Sequence, residues 1–188
     1  MRELFSLEAV NMFRKILVAM DTSASGKSVF DEALTLARAM GANLMLLHVL
    51  SPEENGSPNM LMFPNFGYHP GLSSSSVDIY QRQWQRLEQY GLDLLRSRQE
   101  KATAAGVTTE FTQNHGSPGR TICDVARTWG ADTIIMGRRG HSGLTEFILG
   151  SVSNYVLHHA PCSVLTVQHT ETTKPKAVEQ SEEEKVKG

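Results

Sequence analysis

The chain has 188 residues, of which 40% are hydrophobic, and its formal net charge is −2. That length suits one domain with a sizeable core, and the charge excludes the basic surface typical of nucleic-acid-binding proteins. No apolar run approaches the ~18 residues that a membrane-spanning helix needs. Glutamates interrupt the apolar N-terminus, so we expect neither a membrane span nor a secretory signal.

The first half of the chain alternates apolar runs with helical periodicity. Lys15–Met20 and Asn43–Leu50 are apolar runs that predict strands covered on both faces. Residues 26–40 between them have the spacing of an amphipathic helix. Residues 51–75 contain four prolines and three glycines, which predicts a long loop. A second helix is predicted at 77–104.

The second half continues the alternation. Strands are predicted at 108–113, 131–136 and 163–168, and helices between them at 118–129 and 151–159. The first of these strands is polar, as expected at a sheet edge. Alternating strands and helices predict right-handed crossovers. The fold class is therefore α/β, with a single doubly wound, five-stranded parallel sheet and helices on both faces.

The ends of the chain differ from this pattern. Residues 1–12 form a short leader, and residues 169–188 are charged with little apolar content, which predicts a disordered tail. The domain proper is therefore 13–168. Cys123 and Cys162 lie far apart and form no CxxC pair, which favours a reducing, cytoplasmic compartment, although one bridge between them remains open.

A glycine pattern follows the fourth strand. Gly137 and Gly140 are followed by nine residues and then by Gly150-Ser151. Glycine lets a backbone take positive φ and approach a ligand closely. Gly150 opens a helix whose unpaired N–H groups and dipole favour an anion, and the hydroxyls of Ser151 and Ser153 could add donors. The pattern predicts a phosphate site built mainly from backbone, and the alternative is a tight turn before a helix.

The position of this pattern favours the ligand site. Ligands of open α/β sheets bind at the carboxyl ends of strands, where the winding direction reverses. If strands one and four are central neighbours, Asp21 and Gly137 face the same crevice. Asp21 could cap the following helix, or it could accept a hydrogen bond from a ribose or an adenine.

Several segments resemble the universal stress protein family. They are ILVAMD around the end of strand one, LHV in strand two, and MGRRGHSGL and LGSVSNYVLHHAPCSVLTV near the C-terminus. The resemblance covers about residues 13–168. The glycine pattern matches the G-2x-G-9x-G-(S/T) motif of the ATP-binding branch of that family.

The resemblance implies strand order 3-2-1-4-5, as in adenine nucleotide alpha hydrolase-like folds. It also implies that the ligand is ATP or another adenine nucleotide, with Mg or Mn carried on the phosphates. Family dimers often pair the fifth strand with its twin, so 163–168 is the candidate interface, and a higher oligomer remains open. We expect no nucleic acid and no membrane as partners.

The family's binding positions are carried over by position in this sequence. Near the adenosine the resemblance implies Ala19, where some members have proline, Asp21, the backbone of Val49, Met136 and Gly137. Along the phosphates it implies Gly140, Gly150, Ser151, Val152 and Ser153. Arg138 lies within the same loop, where it could bind phosphate or be solvated.

Other candidate sites carry less weight. Gly26-Lys27-Ser28 is not a P-loop, because Asp21 stands where the first glycine would be. We expect His48 to be a hydrogen-bonded core histidine. No set of three metal ligands is evident.

Three functions follow from these observations. The first is an ATP-binding, stress-response regulatory module with little or no turnover. The second is a slow ATPase or a nucleotidyl-transfer enzyme, for which Asp21, His141 and Glu146 are the nearby reactive groups. The third is an interaction scaffold acting through the 51–75 loop, a segment that could also be a lid over the nucleotide.

Overall fold

The computed structural model describes residues 13–52, 57–58, 73–138 and 149–168. The strands and helices in this part follow one another as predicted. They are β1 (Lys15–Met20), α1 (Ala24–Met40), β2 (Asn43–Leu50), α2 (Ser73–Ala104), β3 (Thr109–His115), α3 (Pro118–Trp129), β4 (Thr133–Gly137), α4 (Ser151–His159) and β5 (Ser163–Val167). All neighbouring strands are parallel, in the order β3-β2-β1-β4-β5. The predicted fold class and strand order are therefore confirmed.

Three strands differ from their predicted bounds by one or two residues at one or both ends. β1 and β2 match their predicted ranges. The strand predicted at 108–113 continues to His115, because its polar residues still pair with β2. The strand predicted at 131–136 spans Thr133–Gly137, and β5 ends at Val167. Hydrophobicity marks the buried part of a strand, whereas hydrogen bonding sets its length.

Two helices begin earlier than predicted. The helix predicted at 26–40 begins at Ala24, and the helix predicted at 77–104 begins at Ser73. The last three residues of the predicted 51–75 loop are therefore helical. Serine is a weak helix former in helix interiors but is favoured at N-termini, which is why this serine run resembles a loop.

Some predictions fall outside the described residues. These are the 1–12 leader, the 169–188 tail, most of the 51–75 loop and the 139–148 segment. None of the described helices combines the length and apolar character that crossing a membrane requires.

The sheet separates two apolar layers. One face packs against α1 and α2, and its largest buried side chain is Phe30. The other face packs against α3 and α4. Along β1, Ile16 and Val18 face the first layer while Leu17 faces the second, as the two-residue period of a strand requires. Helices therefore cover both faces, as the continuous apolar runs predict.

A close approach of α2 to the sheet occurs at Gly91. A Cβ atom on this residue would lie 2.5 Å from both Gln113 Oε1 and His48 Nδ1. His48 is 1% exposed, and its Nδ1 lies 3.3 Å from Gln113 Oε1. Gln113 Nε2 donates to the Glu88 carbonyl at 3.0 Å. This hydrogen-bonded chain joins β2, β3 and α2, and it confirms His48 as a hydrogen-bonded core histidine.

The two cysteines are free thiols. Cys123 is buried on α3, and Cys162 is partly buried just before β5. Burial is the main cause that raises the pKa of both thiols. Because the thiolate is the reactive form, both side chains are poor nucleophiles at neutral pH. The bridge between them that the sequence leaves open is not formed.

Candidate functional site

The central strand β1 stops short of its neighbours at the carboxyl edge of the sheet. Its pairing with β2 ends at Met20↔His48, while β2 continues to pair with β3. Its pairing with β4 ends at Ala19↔Met136, while β4 and β5 pair through Gly137. The end of β1 therefore lies in a notch between the ends of β2 and β4. The strand order reverses here, which is where open α/β sheets bind ligands.

Asp21 lies at the floor of this notch, directly after β1. Its Oδ1 accepts hydrogen bonds from the Ser23 amide at 3.1 Å and the Ser23 hydroxyl at 2.5 Å. Ser23 Oγ in turn accepts from the amides of Ser25 at 3.1 Å and Gly26 at 3.4 Å. The capping role considered for Asp21 thus belongs to Ser23, and Asp21 orients that cap.

Gly26 holds α1 close to Asp21. A Cβ atom at this position would lie 2.2 Å from the Asp21 carbonyl oxygen and 2.8 Å from Oδ1. Glycine is therefore required here by contact with a neighbouring backbone. The sequence reasoning missed both Ser23 and Gly26 as supports of Asp21. The signal was present, because an Asp-x-Ser-x-x-Gly run combines a turn residue, a cap and a residue without a side chain.

The walls of the notch come from β2 and β4. Val49 and Leu50 extend past the last residue of β2 that pairs with β1. Ala19 is partly buried, and its partner in β4, Met136, is buried. Gly137, the last residue of β4, is partly buried as well. The structure thus brings most of the predicted adenosine-side residues to one edge of the sheet.

Arg138 follows β4 and is held from two sides. Its amide donates to the Val167 carbonyl at 2.9 Å, and its Nη1 donates to Gln168 Oε1 at 2.9 Å. Its carbonyl accepts from the Gly150 amide at 3.2 Å. The guanidinium, which the sequence leaves as either a phosphate ligand or a solvated group, is thus hydrogen-bonded to the residue after β5.

At the N-terminus of α4 the N-cap residue is Gly150, and no described side chain caps the helix. Within the helix, the first backbone bond runs from the Asn154 amide to the Gly150 carbonyl at 2.9 Å. The amides of Ser151, Val152 and Ser153 precede it and have no intrahelical carbonyl to bind. Together with the helix dipole, such amides suit an anion.

The Ser153 hydroxyl, which was predicted to donate to phosphate, is hydrogen-bonded within the protein instead. The side chain is 2% exposed, and its hydroxyl lies 3.0 Å from both the Gly137 and the Arg138 carbonyl oxygens. A hydroxyl has one proton, and carbonyls only accept. The hydroxyl proton of Ser153, which was expected to be donated to a phosphate, is therefore donated to these carbonyl oxygens. Ser151, by contrast, is exposed.

Two of the motif glycines, Gly137 and Gly150, lie in the described part of the chain, and neither has positive φ. In the part of the chain that the structure describes, the glycines at positive φ are Gly41, Gly106, Gly116 and Gly130. Gly137 is not among them, and Gly150 has φ −62°. The expectation of positive φ at Gly137 is therefore wrong. Gly140, His141 and Glu146 lie outside the described residues.

The described groups of the site are of types that bind ligands. It offers backbone amides and one carboxylate that already accepts two hydrogen bonds. The described residues include no group of three histidine, cysteine or acidic side chains placed to hold a metal ion. The arrangement can bind an anion at α4 and hydrogen-bond donors at Asp21.

Comparisons with known proteins show which proteins this chain resembles. Residues 12–168 match the profile described as the universal stress protein family. The chain is 36% identical over 157 residues to universal stress protein Sll1388 of Synechocystis sp., covering 84% of this chain and 99% of that protein.

Solved structures share the fold. UspA from Lactobacillus plantarum, a universal stress protein, is similar with a TM-score of 0.64 and 26% identity, over 82% of this chain and 97% of that one. A universal stress protein in complex with cAMP has a TM-score of 0.55 and 23% identity, over 84% and 98% of the two chains. One from Archaeoglobus fulgidus in complex with dAMP has a TM-score of 0.53 and 18% identity, over 82% and 98%.

Proposed function

Because this chain belongs to the universal stress protein family, we propose that it binds ATP, or another adenine nucleotide, in the notch. The observation that carries the proposal is the uncapped N-terminus of α4, which lies at the same sheet edge as Asp21. Backbone amides at a helix N-terminus suit phosphate. The complexes of similar folds with cAMP and dAMP support an adenine nucleotide as the ligand class.

In this proposal the nucleotide spans the notch. The adenosine lies between the end of β2 at Val49 and the end of β4 at Met136 and Gly137, with Asp21 and Ala19 beneath it. Gly140 and the first turn of α4, residues 150–153, surround the phosphates. A Mg or Mn ion would be carried by phosphate oxygens and water, because the described residues supply no ligand set of their own.

A regulatory role with little or no turnover fits this site better than an enzymatic one. Phosphoryl transfer needs a residue that orients water or another nucleophile. The Asp21 carboxylate already orients the Ser23 cap. The other described groups are backbone amides, the Ser151 hydroxyl and the Arg138 guanidinium, and none of these is a general base at neutral pH. We propose that the chain senses nucleotide in the cytoplasm as part of a stress response. The free thiols Cys123 and Cys162 are compatible with that compartment.

The Gly140→Ala/Gly150→Ala variant is expected to bind ATP at least tenfold more weakly than the wild type, a loss of about 1.4 kcal/mol. Two methyl groups would fill space where the backbone must approach phosphate. Isothermal titration calorimetry measures this difference, with phosphate release followed in the same samples. Equal affinities would contradict the site, and release at about 1 per second or faster would contradict the regulatory role.

A matched control is Gly106→Ala. Gly106 lies just beyond the C-terminus of α2, at the opposite sheet edge, and has φ +80°. Its substitution strains the backbone far from the notch. This variant should lose stability and bind ATP like the wild type, so it separates a general effect of replacing glycine from an effect on the site.

We further propose that two copies of the chain pair through β5. Among the described strands, β5 pairs with β4 alone, so its other edge has unpaired backbone groups. Leu165 on this strand is 45% exposed, and Leu157 on α4 is 46% exposed. An exposed, apolar edge strand is a natural surface for pairing with another strand.

Leu165→Lys is therefore expected to convert a dimer to a monomer, because charged side chains on an edge strand oppose pairing. Sedimentation velocity measures the oligomeric state. Ile79→Lys is the control, since Ile79 is equally exposed at 47% but lies on α2. A wild type that sediments as a monomer, or a Leu165→Lys variant that remains dimeric, would rule out this interface.

A further inference from the structure

The buried hydroxyl of Ser153 connects α4 to the end of β4. It lies 3.0 Å from the carbonyl oxygens of Gly137 and Arg138, and its side chain is 2% exposed. Both neighbours are acceptors, so the hydroxyl can only donate to them, and it shares one proton between two oxygens. Ser153 thus has no proton left for a ligand in this arrangement.

A second hydrogen bond closes the same connection. The Arg138 carbonyl also accepts from the Gly150 amide at 3.2 Å. These two residues lie on either side of the eleven-residue segment 139–149 in the sequence, and the bond brings its two ends together. We call the hydrogen bonds from Ser153 Oγ and the Gly150 amide to the 137–138 carbonyls the clasp.

The clasp decides which backbone groups a ligand can use. It takes up the Gly150 amide, and among the described residues the amides of Ser151, Val152 and Ser153 have no backbone acceptor. It also sets the distance between those amides and Gly137, because it joins the two elements directly. In the proposed site, these are the phosphate side and the ribose side of one nucleotide.

We propose that Ser153 is a positioning residue. Its hydroxyl holds residues 137–138 against the first turn of α4, so that both halves of the site are in place before a ligand arrives. This inference rests on the proposed nucleotide site, but it assigns Ser153 a different role from contact with phosphate. Preorganised backbone costs less to order on binding, which is how the clasp raises affinity.

The proposal is tested by comparing adenosine with ATP. Ser153→Ala should weaken the binding of both by the same factor, about tenfold, the size expected for one buried hydrogen bond. Ser153→Thr, which keeps a hydroxyl, should restore both affinities. Ser153→Cys should restore neither, because a thiol is a weak donor. Asn154→Ala, an exposed neighbour on α4, serves as the control and should bind like the wild type.

Two outcomes of that comparison overturn the proposal. If Ser153→Ala weakens ATP binding and leaves adenosine binding unchanged, the hydroxyl contacts phosphate. If it changes neither affinity, the clasp has no role in binding. Thermal unfolding of each variant identifies any that fail to fold. If Ser153→Ala is among them, Ser153→Cys, which fills the space but donates weakly, carries the same comparison of adenosine with ATP.

A measurement without ligand separates this inference from the proposed function. In the ligand-free wild type, the amides of Arg138 and Gly150 should be protected from hydrogen exchange, since both are hydrogen-bonded. In Ser153→Ala both should exchange faster, while amides within α3 should not change. Unchanged exchange would overturn the clasp even if ATP binds. Faster exchange in a protein that binds no adenine nucleotide would sustain the clasp and refute the proposed function.

Discussion

Gly26→Ala is expected to destabilise the protein by about 3 kcal/mol, the upper part of the range for overpacked sites. The same change in an ordinary helix interior stabilises by roughly 1 kcal/mol, because alanine has the higher helix propensity. The reversal follows from the added methyl group, which would lie 2.2 Å from the Asp21 carbonyl oxygen. A backbone atom cannot rotate away as a flexible side chain can.

Urea denaturation measures the loss, and Lys27→Ala provides the control. Lys27 is exposed in the same turn of α1, so its replacement tests helix propensity without the clash. The Gly26→Ala variant should also bind ATP more weakly, because α1 and Asp21 must move apart. A variant as stable as the wild type would mean that the β1–α1 connection adjusts freely, and Asp21 would then not be rigidly placed.

Gly91→Ala is the second glycine-to-alanine change in a helix that is expected to destabilise the protein, with a loss of about 2 kcal/mol in the free energy of unfolding. Here the new methyl group would lie 2.5 Å from His48 Nδ1 and from Gln113 Oε1. His48 is fully enclosed, so the side chain has little room to adjust. Either α2 moves away from the sheet or the hydrogen bond between His48 and Gln113 breaks.

A double-mutant cycle identifies the cause. If contact with His48 is responsible, the Gly91→Ala/His48→Ala double variant should be more stable than the sum of the single losses predicts. Denaturation midpoints of the four proteins provide the coupling energy. Simple additivity would exclude His48 as the obstacle. Ser97→Ala, an exposed position two turns further along α2, is the control for helix propensity.

Sequence periodicity predicted the succession of elements well because burial is recorded in side-chain type. The runs at β1 and β2 are apolar at nearly every position, since helices cover both faces of the sheet. The ends of β3 and the start of α2 were misplaced because backbone pairing and helical hydrogen bonds continue through polar residues. The strand order came from the family resemblance, since periodicity does not specify which strands are neighbours.

The candidate site was predictable in position and less so in its hydrogen bonding. Asp21 and Gly150 were singled out because they follow a strand and open a helix. The partner of the Ser153 hydroxyl was not predictable, because it depends on how closely α4 approaches the end of β4 in three dimensions. The same holds for Gly26: Asp21 is five residues away in sequence, yet a Cβ atom on Gly26 would lie 2.2 Å from its carbonyl oxygen.

The N-termini of the two helices beside the notch, α1 and α4, are capped differently. The two ends of the notch therefore differ in charge. At α1 the Ser23 side chain already neutralises the first amides, and a carboxylate stands behind it. At α4 the first amides have no such cap. Among the described residues, one end of the notch thus carries a carboxylate, and the other carries helix N-terminal amides, which attract negative charge. In the proposed site, a ligand with an anionic end and a donor-bearing neutral end is therefore expected to bind in one orientation, with its anionic end at α4.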